Sequence, residues 1–172
     1  MKATDLTAET VRAMFDYDPL TGRLSYREDR RCGRGRISMK AGDEAGTQRP
    51  TGYRLVNIGG KPMLTHRLAW LHVHGEWPRH DIDHINGDPS DNRLANLRDV
   101  PHSVNQQNLR RASKGRKHGT LMGTAWHAGT RKWRALIAVN GRQKSLGYFA
   151  TEEQAHHAYI AGKRRYHEGC TI

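Results

Sequence analysis

Cysteine is almost absent from this chain, which has two among its 172 residues. Cys32 and Cys170 stand alone, and neither is part of a C-x-x-C pair. A structural zinc site built on thiolates needs several cysteines at short spacing, so nothing here supports one. We expect two free thiols, as in a cytosolic protein.

Long hydrophobic runs are missing as well. Apolar residues make up 35% of the chain, and no stretch approaches the roughly 20 residues that cross a membrane as a helix. No leader with an apolar centre is visible at the start of the sequence. These absences argue against a membrane protein and against one large core, and a chain of this length fits two or three small modules.

Acidic residues are scarce relative to basic ones, at 17 against 29, for a formal net charge of +12. Such a balance predicts a polyanionic partner. The charge is uneven: residues 1–60 carry +3, residues 61–100 carry −1 and residues 101–172 carry +10. This division suits a nearly neutral reactive segment carried by a separate module that binds a polyanion.

The segment from 81 to 108 has the most informative pattern. Alternating apolar residues predict a strand that ends at Asp83 and His84, and the following run from Asn86 to Asp91 is typical of a closed turn. A second short apolar run, 97–100, predicts another strand. A helix is then expected to open with Ser103 as its N-cap. The order is strand, loop, strand, helix.

That order has a chemical use. If the strands pair and the helix packs across them, Asp83 and His84 can face Asn105, the third position of the helix. Carboxylate and amide oxygens are hard ligands suited to Mg²⁺. His84, with an ordinary pKa near 6.5, can take a proton from water at neutral pH. An acid, a base and an amide would meet in one cleft.

These residues resemble a known family. Asp83 and His84, Asn96 twelve positions after the histidine, Asn105 nine further on, and then Asn108 resemble the motif of the HNH endonucleases with their ββα-metal fold. The likeness is greatest to the phage and intron-encoded homing type, and it runs without a gap from Asp83 to Asn108. The resemblance implies hydrolysis of phosphodiester bonds in duplex DNA that leaves a 5′ phosphate.

The resemblance also implies a role for each position. His84 would be the general base that activates water, and Asp83 with Asn105 would hold one divalent ion at the scissile phosphate. Asn96 is expected among the catalytic residues in a supporting role. It would tie the loop by hydrogen bonds rather than touch the substrate. The last histidine of the family's name is asparagine here, which favours Mg²⁺ or Mn²⁺ over a softer metal.

The residues before this motif predict its support. Strands are expected at 53–58 and 61–64, joined by a turn at Gly59-Gly60, followed by a helix that Thr65 caps and Gly75 ends. The family resemblance extends back through the Thr-His-Arg-Leu-Ala-Trp sequence of that helix. His66, His72 and His74 could form a second metal cluster, but no carboxylate accompanies them and ordinary helix positions are favoured.

The first 50 residues predict a short helix from Thr7, a strand at 24–26 and then an aperiodic basic stretch from Arg27 to Gly46. The helix and strand form either a small DNA-contacting appendage or a simple cap on the next module, and we favour the cap. The basic stretch is either a loop that contacts DNA or a plain linker.

The last 50 residues predict three strands and a helix. The strands are Gly123–His127, Lys132–Val139 and Gln143–Phe149, with a strong hairpin signal at Asn140-Gly141, and Thr151 caps the helix. A resemblance to AP2/ERF-like DNA-binding domains, in which the sheet lies in the major groove, is carried by these residues: Gly123, Trp126, Lys132, Trp133, Ala135, Ile137, 146–149 and 155–159. Strand alternation puts Lys132 and Arg134 on the outer face. The resemblance implies that Gln143 and Ser145 share this face. An exposed basic sheet with no groove role is the alternative.

The sequence therefore predicts an α+β protein of small modules. An appendage covers 1–50, a ββα-metal nuclease domain 51–112, a basic linker 113–119, and a C-terminal three-stranded antiparallel sheet backed by one helix 120–172. Further DNA contacts are expected from Arg98, Arg110 and Arg111. We expect a monomer that nicks double-stranded DNA, with a dimer left open. The competing hypothesis is a non-catalytic DNA-binding regulator.

Overall fold

The computed structural model describes residues 6–33, 35–109 and 119–172. The chain divides into two compact units, Met1–Pro101 and His102–Ile172. Both are mixtures of short helices and small antiparallel sheets, with four helices in the described part of the chain. None of the helices in these ranges is long and apolar enough to cross a membrane. The predicted α+β class is confirmed at this level.

The first unit opens with α1 (Ala8–Met14), capped as expected by Thr7, whose hydroxyl accepts a hydrogen bond from the Thr10 N–H at 3.3 Å. The chain continues into β1 (Phe15–Asp18), which pairs antiparallel with β2 (Arg23–Tyr26). Strand β1 was not predicted. Phe15 continues the apolar stripe of α1, so its spacing favoured a helix there.

The basic stretch after β2 is more ordered than its composition suggested. β3 (Arg30–Arg31) pairs with β4 (Ile37–Met39) in a small antiparallel hairpin. The prediction that this segment lacks regular secondary structure was wrong. Strands of two and three residues are too short to leave a period in the sequence.

Three more strands form the second sheet of this unit, in the order β5 (Thr47–Gln48), β6 (Arg54–Ile58) and β7 (Lys61–Leu64). The predicted 53–64 hairpin is therefore confirmed. α2 (Thr65–His74) follows without a break and ends at Gly75, whose φ of 81° is the left-handed conformation that glycine adopts at helix ends.

The predicted capping role of Thr65 was wrong. The N-cap position of α2 is Leu64, and Thr65 is the first helical residue. Its hydroxyl instead donates to the backbone carbonyl of Arg54 at 3.3 Å. Thr65 is thus a buried link between α2 and β6 rather than a helix cap.

One apolar core joins the start of this unit to its middle. Val11 and Phe15 from the first segment pack in the same cluster as Val56 from β6 and Leu68 from α2, and all four are fully buried or nearly so. The first 50 residues therefore contribute to the core under β6 and α2. This arrangement fits the favoured interpretation of that segment as a cap.

The last part of the first unit is the predicted hairpin. β8 (Asp81–His84) and β9 (Leu97–Val100) pair antiparallel, with one turn of 3₁₀ helix at Leu94–Asn96 before β9. Asp83 lies opposite Arg98 in this register. The strand, loop, strand order deduced from the sequence is confirmed.

The second unit begins with α3 (His102–Gln107), so Ser103 lies inside the helix and its predicted capping role was wrong. The end of α3 is held by the chain's last residues. The Gln107 side chain accepts from the Gly169 N–H at 3.0 Å, and the buried Asn108 side chain accepts from the Thr171 hydroxyl at 2.5 Å. The predicted module boundaries at 50 and 112 remain predictions.

The rest of this unit is the predicted sheet, formed by β10 (Thr124–His127), β11 (Lys132–Val139) and β12 (Arg142–Phe149). Asn140 and Gly141 join β11 to β12 with φ values of 50° and 74°, the conformation of a two-residue hairpin turn. A small apolar core separates the sheet from α4 (Glu152–Tyr166): Ala135, Ile137, Ala155 and Tyr159. The predicted sheet backed by one helix is confirmed.

Candidate active site

The β8–β9 hairpin removes an acidic and a basic side chain from solvent. Asp83 and His84 end β8, and they are only 5% and 4% exposed. Buried ionisable groups are stable only when polar partners satisfy them, because burial without such partners costs several kcal/mol. The partners of these two residues therefore define the site.

Asp83 is paired with the arginine directly across the hairpin. Arg98 Nε and Nη2 both donate to Asp83 Oδ2, at 2.9 and 2.7 Å. The side chain of Asp83 is 6% exposed and that of Arg98 is 26% exposed, so the arginine is the partner nearer to solvent. Arg98 was predicted to contact DNA phosphates, and in this structure its guanidinium lies on the carboxylate.

His84 is held by an amide from the loop. Its Nε2 lies 3.1 Å from Asn92 Oδ1, and Asn92 is itself buried. Burial lowers the pKa of His84 below its ordinary value, although the hydrogen bond with Asn92 and the charge of Asp83 act in the opposite direction. The ring is therefore neutral at neutral pH, which is the state that can accept a proton.

Two further rings surround the His84 imidazole. The His66 ring centroid lies 5.1 Å away at an interplanar angle of 86°, and the Tyr53 ring centroid lies 5.9 Å away. Burial lowers the pKa of His66 to about 3, with smaller contributions from His84 and Arg67. His66 thus packs against His84 as an uncharged ring at neutral pH.

The hypothesis of a second metal cluster on α2 is not supported. The His72 ring lies 6.0 Å from the Tyr17 ring, and the His74 ring lies 4.1 Å from that of Trp70, so these histidines have partners different from those of His66. Across the described ranges, no group of three or more His, Cys, Asp or Glu residues could hold a metal ion.

Asn96 ties the loop that joins the two strands. Its Oδ1 accepts from the Asn86 N–H at 2.8 Å, and its Nδ2 donates to the Asp91 carbonyl at 2.8 Å. The Asn96 backbone carbonyl also accepts from the Ile85 N–H at 2.8 Å. These bonds close both ends of the loop, which is the kind of role that the family resemblance implies for this position.

Asn105 lies on α3, in the second unit, whereas Asp83, His84, Asn96 and Arg98 lie together in the first. Its assignment as a metal ligand is supported by its spacing in the sequence, nine positions after Asn96. It has interactions within the structure, and its role at the site remains a prediction.

The predicted DNA-contacting residues of the second unit share the sheet face opposite α4. Arg134 pairs with Tyr148 across β11 and β12, stacks over that ring at 5.7 Å, and donates from Nε to Ser145 Oγ at 3.1 Å. Lys132 and Gln143 are exposed on the same face. Arg110 and Arg111 lie outside the described residues.

Sequence reasoning missed the residues that hold His84. Asn92 was given no role, and Thr65 was predicted only to cap a helix. In the structure Asn92 Nδ2 donates to Thr65 Oγ1 at 3.2 Å, and the Asn92 backbone carbonyl accepts from the Tyr17 hydroxyl at 2.9 Å. An asparagine directly after a run of turn residues was the available sequence signal, and it is a weak one.

Comparison with known protein families gives a match, and it covers the β8–β9 hairpin. Residues 63–107 match the model of a protein family described as HNH endonuclease. The match contains Asp83, His84, Asn96 and Asn105, and the prediction of an HNH endonuclease domain is confirmed for this segment. The chain matched no curated protein and no solved structure.

Proposed function

We propose that this protein is a divalent-metal-dependent DNA endonuclease of the HNH homing type that nicks duplex DNA. The observation that carries the proposal is the neutral, buried His84 beside the Asp83 carboxylate, inside the segment that matches the HNH endonuclease family. A base and a carboxylate adjacent in one hairpin can supply the proton acceptor and one metal ligand for metal-assisted hydrolysis of a phosphodiester.

In this mechanism a water oxygen attacks phosphorus while His84 accepts a proton from that water molecule. The bond from phosphorus to the 3′ oxygen breaks, the 3′ oxygen takes a proton from solvent, and the products are a 5′ phosphate and a 3′ hydroxyl. The lowered pKa of His84 keeps the ring neutral before the step, so one ring nitrogen is free of a proton. Asn96 keeps the loop that carries Asn92 in place.

The donor set fits Mg²⁺ or Mn²⁺. Asp83 offers a carboxylate, and Asn105, by its position in the motif, would offer an amide oxygen. Mg²⁺ sites commonly use one or two carboxylates together with substrate phosphates and water, so a cluster of acidic residues is not needed. When bound, the ion would neutralise charge that develops on the scissile phosphate.

The second unit supports a docking role on duplex DNA of the AP2/ERF-like kind. Its outer sheet face carries Lys132, Arg134, Gln143 and Ser145. Residues 101–172 hold a net charge of +10, which is the balance expected of a polyanion-binding module. One copy of the nuclease motif in a monomer would cut one strand at each visit, which favours nicking.

One observation favours the alternative of a DNA-binding protein without catalysis. The Asp83 carboxylate that would hold the metal already accepts two charge-assisted hydrogen bonds from Arg98. If that ion pair persists on DNA, metal binding is weakened. The same hairpin would then serve only as a folded element in a regulator.

Incubation of the purified protein with supercoiled plasmid and Mg²⁺ separates the two functions. We expect open-circular product from the wild type, none from His84→Ala, and loss of activity when EDTA is added. His74→Ala, which replaces an exposed histidine on α2, is the matched control and should nick like the wild type. Mapping of the nick on sequenced DNA then reports the strand and the target.

Two outcomes would count against this proposal. Nicking that survives in His84→Ala would reject His84 as the general base. Tight DNA binding by the wild type, with no cleavage of any duplex in Mg²⁺ or Mn²⁺, would favour the binding protein.

A further inference from the structure

The hydrogen bonds around Asn92 have one self-consistent direction. The Arg54 carbonyl can only accept, so the single hydroxyl proton of Thr65 points to it at 3.3 Å. Thr65 Oγ1 is then left as an acceptor, and it faces the Nδ2 end of Asn92 at 3.2 Å. The acceptor end of that amide, Oδ1, therefore faces His84.

This direction decides which nitrogen of His84 carries the proton. Asn92 Oδ1 lies 3.1 Å from His84 Nε2, and an acceptor at that distance requires an N–H on Nε2. A neutral imidazole has one N–H, so Nδ1 is the unprotonated nitrogen. The direction of the hydrogen bonds is thus passed from a backbone carbonyl of β6, through Thr65 and Asn92, to the histidine.

Because these residues are buried, the His84 ring has to follow the direction of the hydrogen bonds. Thr65, Asn92 and His84 are 2%, 6% and 4% exposed, so bulk water cannot replace a missing partner. Reversal of the Asn92 amide would turn its NH₂ group toward His84 and its oxygen toward Thr65. The Thr65 hydroxyl would then have to abandon the Arg54 carbonyl, and a buried hydrogen bond would be lost.

Asn92 is also fixed from its backbone side by the hairpin of β1 and β2. The Tyr17 hydroxyl donates to the Asn92 carbonyl at 2.9 Å and accepts from the Leu94 N–H at 3.1 Å. At Gly22, where φ is 74°, an added Cβ would lie 2.4 Å from the Arg93 nitrogen, so the backbones of hairpin and loop are in direct contact. Residues far outside the matched segment thus hold the loop against the site.

We propose that Asn92 and Thr65 are positioning residues that hold His84 in the tautomer with its proton on Nε2, so that Nδ1 is the atom that accepts the proton of the attacking water. The structural part of this proposal stands on the hydrogen bonds alone. Its catalytic meaning rests on the proposed nuclease function.

Long-range proton–nitrogen correlation spectra of the ¹⁵N-labelled full chain test the structural part without any nuclease assay. At neutral pH we expect His84 of the wild type to show a protonated Nε2 and an unprotonated Nδ1. We also expect its N–H to exchange slowly with solvent, as buried hydrogen-bonded protons do. A proton found on Nδ1 would overturn the proposal.

The hydrogen bonds that run from the Arg54 carbonyl through Thr65 and Asn92 to His84 form a relay. Thr65→Val and Thr65→Ser are a matched pair of variants that test it. Valine keeps the shape and burial of threonine but lacks the hydroxyl, whereas serine keeps the hydroxyl. In Thr65→Val the Asn92 amide is free to reverse, so we expect both His84 tautomers in the spectra and an Nε2–H that exchanges about tenfold faster or more. Thr65→Ser should match the wild type, and identical spectra for both variants would remove Thr65 from the relay.

Single-turnover nicking at saturating DNA tests the catalytic part. We expect Thr65→Val and Asn92→Ala to lower the rate about ten- to a hundredfold, as loss of a partner that orients a functional imidazole typically does. DNA affinity should stay unchanged, and Thr65→Ser should restore the rate. An equal loss of rate in Thr65→Val and Thr65→Ser would contradict the proposed role of the Thr65 hydroxyl and indicate a packing defect.

The two measurements separate the two hypotheses. If the wild type shows the Nε2 proton but nicks no DNA, the positioning relay stands and the nuclease function fails. If the wild type nicks DNA while the proton is on Nδ1, the nuclease function stands and the relay fails.

Discussion

Arg98 donates from Nε and from Nη2 to the same oxygen of Asp83, Oδ2, at 2.9 and 2.7 Å. This pair sits at the candidate metal ligand, on the residues that face each other across β8 and β9. The carboxylate is nearly buried and the guanidinium is partly exposed. The ion pair therefore stabilises the hairpin, and under the proposed function it would compete with a metal ion for the Asp83 carboxylate.

Replacement of this arginine should destabilise the first unit. Arg98→Gln leaves a buried carboxylate without its cation, and we expect the free energy of unfolding to fall by about 1.5–3 kcal/mol, the range for a hydrogen bond to a charged group. Arg93→Gln is the matched control, because Arg93 pairs with Asp91 at 2.6 Å with its own side chain 51% exposed. Its loss should cost clearly less than the loss of Arg98, because a solvent-exposed ion pair contributes little to stability.

Urea unfolding monitored by hydrogen exchange in peptides of the first unit measures both effects. Equal losses for the two variants would show that the Asp83–Arg98 pair behaves as a surface ion pair. Under the proposed function, Arg98→Gln should also lower the Mg²⁺ concentration needed for half-maximal nicking, because the carboxylate no longer has a competing cation.

The first unit should become less stable as the pH falls. His66 has a pKa of about 3 in the folded protein and 6.5 when exposed, so the unfolded chain binds the proton more readily. The stabilisation is present in full above pH 6.5 and is lost progressively between pH 6.5 and about 3, by at most about 1.4 kcal/mol per pH unit from this one group. The lowered pKa of His84 acts in the same direction.

His66→Phe isolates this contribution because every other titrating group is shared with the wild type. We expect the wild type to lose stability faster than the variant between about pH 6.5 and pH 5 in urea unfolding. Parallel curves would mean that His66 takes up a proton in the folded protein as readily as in the unfolded chain.

Short-range patterns explain most of what the sequence predicted correctly. The caps at Thr7 and Thr151, the turn at Asn140-Gly141 and the alternation in β11 are encoded by neighbouring residues, and all of them are present in the structure. The motif that singled out Asp83 and His84 is also local, because its residues are close together in the chain, and their roles remain predictions. Local chemistry leaves local signals.

The polar interior of the first unit could not be predicted in the same way. Tyr17 and Asn92 are 75 positions apart, and Thr65 and Asn92 are 27 apart. A hydrogen bond between such residues depends on how strands and helices pack, and it leaves no period or turn signal in the sequence. For this reason Thr65 was taken for a helix cap and His66 for an ordinary helix residue.

Glu152 gives a sharp test of the second unit. Its Oε1 accepts three hydrogen bonds at 2.8 Å, from the Thr120 N–H, the Leu121 N–H and the Thr124 hydroxyl. Glu152→Ala should cost more than about 2 kcal/mol, because a hydrogen bond to a carboxylate is worth about 1.5–3 kcal/mol and the two backbone N–H groups of Thr120 and Leu121 both lose this acceptor. The neighbouring Glu153→Ala, exposed in the same helical turn, should change stability by less than about 0.5 kcal/mol.

Unfolding monitored in peptides from residues 119–166 distinguishes these variants. If both acids matter equally, their effect comes from the helix dipole of α4 and not from the bonds to the start of the unit. Both residues lie in the first turn of α4, where the positive end of the helix dipole favours an acidic side chain.

DNA docking through the outer sheet face predicts a particular salt dependence. Lys132→Ala and Arg134→Ala should each weaken binding to duplex DNA, and each should reduce the slope of log K against log salt by about 1 if the side chain contacts one phosphate. Arg165→Ala is the control, because Arg165 lies near the end of α4, the helix packed on the opposite face of the sheet. Its removal should leave the slope nearly unchanged.

Fluorescence anisotropy with a labelled duplex at several salt concentrations gives the slopes. Arg134 also stacks over Tyr148 and donates to Ser145, so Arg134→Lys keeps the charge but loses the planar contact. A slope unchanged in Arg134→Lys with weaker binding would assign Arg134 a stacking or base-contacting role. An equal loss of slope in all three alanine variants would indicate diffuse electrostatic attraction, and the sheet face would then have no special part in docking.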